Sequence, residues 1–157
     1  MPLSLLSPGL PVALCAEHPP QFCALVGESV AAGFPSPADD YVEARIDLNH
    51  ELIPSPLSTF FMRVQGDAMR GDGIVDGDLL VIDRSLDPRV GMVVVAVQAG
   101  SFILRRLGRR DGRLCLLASD ALTPPLPLGG DDDTADQLWG VAIHAIHHLA
   151  GAPSRRH

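Results

Sequence analysis

The 157-residue sequence contains no lysine, and all twelve of its basic residues are arginine. That excludes a lysine amine acting as a base near neutral pH, because a guanidinium keeps its proton above roughly pH 12 even when buried. Positive charge is scarce overall, and the net charge is -7. An acidic chain is a poor match for phosphate backbones, so direct sequence-specific DNA binding is not expected and any role at DNA should run through a protein partner. Cysteine is limited to Cys15, Cys23 and Cys115. Their odd number and their lack of metal-ligand spacing fit buried or incidental reduced thiols, with no metal site and no cofactor. No apolar run approaches the roughly 18 residues of a membrane helix. The opening residues have no basic leader region and are interrupted by Pro8 and Pro11, unlike a secretory signal. A cytoplasmic protein without membrane attachment is the expectation.

With 46% hydrophobic and 20% charged residues, the chain is long enough for one domain with a real core and too short for two ordinary ones. Residues 1–40 differ from the rest. Pro2, Pro8, Pro11, Pro19, Pro20, Pro35 and Pro37 forbid a long helix, so this part reads as an extended arm with no room for a helix-turn-helix domain. Residues 41–150 read as the folded body and 151–157 as a tail.

The body is patterned for strands and hairpins. Phe60, Met62 and Val64 alternate with Phe61, Arg63 and Gln65, and Leu79 to Asp83 is a further strand. Between these strands Gly66, Gly71, Gly73 and Gly77 interleave with Asp67, Asp72, Asp76 and Asp78, a loop able to take positive φ. The aspartate spacing departs from a calcium loop and has no closing glutamate. Met92 to Val97 is apolar throughout, Ala99-Gly100 makes a tight turn, Phe102 to Leu107 returns, and Asp111-Gly112 turns the chain again into Arg113 to Leu117. Leu138 to Ile146 is the closing strand. The segment 41–49 is open between short helix and loop, and 120–137 reads as loop. Arg105, Arg106, Arg109, Arg110 and Arg113 read as a solvated face or as ion-paired residues, and His144, His147 and His148 are weak as a metal set.

Two runs carry a family resemblance. The first, TFFMRVQGDAMRGDGIVDGDLLVIDRSLDPRVGMVVVAVQAGSFILRRL at residues 59–106, resembles the catalytic core of the self-cleaving serine peptidases related to LexA, most closely their UmuD branch. The second, AGFPSPADDYVEARIDLN at residues 32–49, resembles the run that follows the scissile bond in UmuD proteins and places the matching bond between Ala32 and Gly33. The resemblance implies a mostly β, LexA/UmuD-type C-terminal peptidase fold of antiparallel hairpins, preceded by the arm. It also implies a catalytic loop at Gly66, Asp67, Ala68 and Met69.

In that family the loop carries a serine where this chain has Ala68, and the hairpin ends in a lysine where this chain has Arg105. A serine-lysine dyad needs a hydroxyl nucleophile and a neutral amine to take its proton. A methyl group and a guanidinium supply neither, so the resemblance predicts a catalytically dead member. Ala68 fits either a naturally degenerate site or a single substitution that traps an uncleaved precursor. The absence of every lysine favours the first. The resemblance places position 105 inward, where a buried guanidinium would need a partner, and Asp67, next to Ala68, is a candidate. An unrecognised dyad would need Ser85, Ser101 or Ser119 beside a base such as His144, and nothing at those positions resembles a known arrangement.

The resemblance further implies a homodimeric accessory protein of the SOS response. Its implied partners are the recombinase filament on single-stranded DNA and a Y-family polymerase for translesion synthesis. The alternative is a pseudo-protease that forms mixed dimers with an active UmuD-like sibling and restrains it.

Overall fold

A computed structural model describes residues 12–13, 22–26, 30, 32–33, 42–129 and 137–151. Most of the expected arm, Cys15, the acidic run Asp131 to Asp133 and the last six residues lie outside that set. Among the described residues there are ten strands: β1 (Val12–Ala13), β2 (Phe22–Val26), β3 (Val42–Asp47), β4 (Thr59–Arg63), β5 (Leu79–Asp83), β6 (Val93–Gln98), β7 (Ser101–Arg110), β8 (Arg113–Leu117), β9 (Leu126–Pro127) and β10 (Leu138–Ile146). Eight form one sheet in the order β1-β4-β5-β10-β6-β7-β8-β9, and β2 pairs with β3 in a second. Every pairing is antiparallel. The mostly β hairpin architecture expected from the sequence is the one observed.

Both tight hairpins have a local cause. Ala99 and Gly100 have φ of 48° and 77°, and Asp111 and Gly112 have 51° and 77°. Positive φ at both central residues is the primed turn whose twist matches that of the strands it joins. The apolar run in β6 is explained by burial on both faces. Val95 packs with Val64, Met69, Ile74, Leu80 and Ile82, while Val94 and Ala96 pack with Leu107, Leu116, Leu128 and Val141. Successive side chains point to opposite faces of a sheet, so these are cores on its two sides.

Three segments depart from the sequence reading. The stretch left open between helix and loop is strand β3 followed by a short helix, α1 (Leu48–Leu52), whose first turn is capped where the Asp47 carboxylate accepts from Asn49 N at 3.1 Å. The arm contains β1 and β2, and β1 pairs with Phe60 and Phe61 of β4. The expected loop 120–137 contains β9, which pairs with Cys115 and Leu116 of β8. Among the described residues no helix is long and apolar enough to cross a membrane.

Candidate functional site

The loop between β4 and β5 is closed at its neck by main-chain bonds, from Val64 N to Asp78 O at 2.9 Å and from Gly77 N to Val64 O at 2.8 Å. Its aspartates act as internal acceptors. Asp76 takes Gly66 N at 2.7 Å, and the buried Asp78 takes Val75 N at 3.0 Å and the His147 ring nitrogen Nδ1 at 2.7 Å. Met69 is 3% exposed and anchors the loop in the core, while Ala68 beside it is half-buried. The loop is thus held by its own backbone, by the Asp76 and Asp78 carboxylates and by Met69, and none of these bonds uses the side chain at 68.

Two chain segments reach this loop. After β8, Ser119 donates its backbone N–H and its Oγ hydroxyl to the Ala68 carbonyl, at 2.8 and 3.1 Å. From β7, Arg106 pairs with Asp72 at 2.9 Å and also donates to the Gly91 carbonyl. Register explains why Arg106 does this and Arg105 does not. Arg106 stands opposite Val93, which packs on the Met69 side of the sheet, and Arg105 stands opposite Val94, which packs on the other.

Asp67 is not the partner of Arg105. Asp67 is exposed, and no ion pair joins the two among the described residues. Arg105 donates to the Leu104 carbonyl at 2.7 Å, and the carboxylate that feels its charge is Asp120. Hydrogen bonds from the side chain and backbone of Thr123 hold the Asp120 carboxyl below its ordinary value, and Arg105 acts in the same direction. Ser119 and Asp120 therefore link the surroundings of residues 68 and 105.

The remaining sequence candidates are dispersed. Ala32 and Gly33 are exposed, and among the described residues a β-carbon placed on Gly33 meets no atom within 4 Å, the Gly66 to Met69 loop included. Ser85 gives its hydroxyl to Asp83 at 2.6 Å, Ser119 gives its own to Ala68, and Ser101 is exposed at the start of β7. Of the arginine cluster, Arg106 is the member ion-paired among the described residues, and Arg109, Arg110 and Arg113 are exposed.

What stands at the loop is a methyl group at 68, while the Arg105 guanidinium lies on the other side of the sheet. A profile of the family described as Peptidase S24-like matches residues 24–143, which span the loop, the β7 arginines and the Ala32–Gly33 bond. The chain belongs to the S24 peptidase family. It is 46% identical over 123 residues to protein ImpA of Salmonella typhimurium, covering 78% of this chain and 82% of that protein. It is 36% identical over 119 residues to protein MucA of Escherichia coli, covering 76% and 80%. The LexA repressor of Bordetella parapertussis is 35% identical over 122 residues, covering 78% of this chain and 55% of the repressor. The antiparallel β body is the fold expected of an S24 peptidase on the LexA/UmuD side of the family. The sequence offered Ser119 only as an alternative nucleophile, and it did not single out Asp120 or the Arg106–Asp72 pair as parts of this site. Ser119 lies 51 residues from Ala68, and no local motif marks so distant a contact.

Proposed function

We propose that this chain is a non-cleaving S24 peptidase that acts as a homodimeric accessory partner of a Y-family translesion polymerase in SOS mutagenesis. The observation that carries the reading is an ordered loop with alanine at 68 and arginine at 105, the positions read as the dyad. The neck, the turn and the Met69 anchor keep their order, while Ala68 offers no hydroxyl and Arg105 no neutral amine. Similarity to ImpA and MucA across most of their lengths supports the placement in SOS mutagenesis. The arm at 1–40, the body at 41–150 and the tail at 151–157 are the proposed divisions, with the recombinase filament on single-stranded DNA as a further partner. The proposed site of action is the cytoplasm.

The test is affinity recovery of the unmodified chain from DNA-damaged cells of its source, with bound proteins identified by mass spectrometry. A Y-family polymerase among them is the expected result. The exposed Ala32–Gly33 bond favours a second reading, in which this chain pairs with an active UmuD-like sibling and restrains it. Recovery of an intact sibling without polymerase would replace the first reading with the second. Intact mass after alkaline incubation checks the missing chemistry, because a product beginning at Gly33 is incompatible with a dead dyad.

A further inference from the structure

The Ala68 carbonyl oxygen has two lone pairs, and Ser119 occupies it with two donors, its N–H at 2.8 Å and its Oγ–H at 3.1 Å. The contact is close on a second side as well. A β-carbon on Gly71 would lie 2.9 Å from Ser119 Cβ, 3.0 Å from its Oγ and 3.2 Å from its carbonyl oxygen. The peptide joining residues 68 and 69 is planar, so holding its oxygen restrains that plane and places the Cα of residue 68 within it, which leaves rotation about the Cα–C bond of residue 68 as the local freedom that aims a side chain there. At the other end of that peptide Met69 is buried in the core. Residue 68 is thus held between a core anchor and a doubly bonded carbonyl, and neither hold requires any particular side chain at 68.

We propose that Ser119 is a positioning residue for the S24 self-cleavage reaction: its hydroxyl, added to a main-chain bond that most residue types can make, sets the backbone orientation from which a nucleophile at 68 would attack. This rests on the reading of residues 68 and 105 as the vacated dyad. It explains why the loop keeps its geometry with alanine in the nucleophile's place. It also assigns a role to a hydroxyl that would otherwise only fill space beside Gly71.

The test has two arms. In the first, Ala68→Ser with Arg105→Lys is followed by intact mass for release of a product starting at Gly33, alone and combined with Ser119→Ala or Ser119→Thr. Ser119→Ala is expected to slow cleavage by about 10-fold to 100-fold, the scale of a small misplacement of the nucleophile, and Ser119→Thr to restore it. In the second arm, the unmodified chain and its Ser119→Ala and Ser119→Thr variants are compared by the carbon-13 carbonyl resonance of Ala68. Loss of one donor moves that resonance, and threonine returns it. Parental cleavage in the Ser119→Ala variant, or an unmoved Ala68 resonance, overturns the proposal. If Ala68→Ser with Arg105→Lys never cuts while Ser119 is intact, the dyad reading fails, and the resonance arm still decides the role of Ser119.

Discussion

Arg84 lays its guanidinium 4.4 Å from the centroid of the Trp139 ring and donates from Nε to the Trp139 carbonyl at 2.9 Å. The same ring meets Phe60 and Phe102 edge-on, at centroid distances of 5.4 and 5.2 Å, so one residue of β10 ties β4 to β7 across the sheet. Trp139 is the sole tryptophan, and its emission reports this junction directly. Arg84→Gln removes the cation and is expected to cost about 1 kcal/mol in urea unfolding, with a red shift of emission as the ring gains solvent. An unchanged midpoint would mean that the cation contributes nothing there.

Asp83 is 1% exposed and collects the Ser58 hydroxyl at 2.9 Å, the Ser85 N–H at 2.8 Å and the Ser85 hydroxyl at 2.6 Å. Burial pushes its carboxyl up and is the largest single effect, but the bonds from Ser85, Ser58 and Ser55 together hold it below the ordinary 3.8. A depressed folded-state value means the stabilisation is full above the unfolded-state value and is lost as pH falls through the folded one. Asp83→Asn is therefore expected to cost about 2 kcal/mol at pH 7. The gap between parent and variant should close below about pH 4, as measured by urea unfolding across pH. A gap constant down to pH 2 would assign the loss to packing instead.

Gly140 and Gly108 look alike in sequence and differ in surroundings. A β-carbon on Gly140 meets Ile82 Cγ2 at 2.7 Å and Arg84 Cγ at 3.3 Å, whereas on Gly108 it meets Leu117 Cδ1 at 2.5 Å and Cγ at 3.2 Å. A β-branched side chain that is 0% exposed has no room to turn, while the end of a half-buried leucine can rotate. Gly140→Ala is expected to cost about 2–3 kcal/mol and Gly108→Ala under about 1 kcal/mol. Thermal melts of the two variants give the comparison, and equal losses would overturn it.

Asp120 is expected to act on a lysine placed at 105. A carboxylate that feels the charge at residue 105 favours the ammonium form of a lysine placed there, and the ammonium cannot act as base. In the Ala68→Ser, Arg105→Lys background, Asp120→Asn is expected to move the alkaline rise of the cleavage profile to lower pH. The pH–rate profile decides it, and a rise left in place would show that solvent screens the pair.

Legibility in the sequence followed the range of the interaction. The turns at residues 99–100 and 111–112 can be read directly, because their φ signs depend on one or two residues. β9 could not, since Pro127 argues against a strand everywhere except at a sheet's margin, where a missing N–H is tolerated. β2 was hidden for a similar reason, the prolines around it outweighing five residues of strand. At the site, the run Gly66 to Met69 declared the loop. Arg105 and Arg106 are chemically identical, and the β6–β7 register alone decides which of them reaches Asp72.

Among the described residues the eight-stranded sheet ends in β1 on one side and β9 on the other, each two residues long, and β9 includes a proline. Strands so short are poor templates, because a visiting strand needs several consecutive free donors and acceptors to find a register. A β-strand ligand that sought the longer backbone of β4 would have to win it from Val12 and Ala13. A strand docking at that rim would therefore exchange with Val12 and Ala13 instead of adding to a free edge.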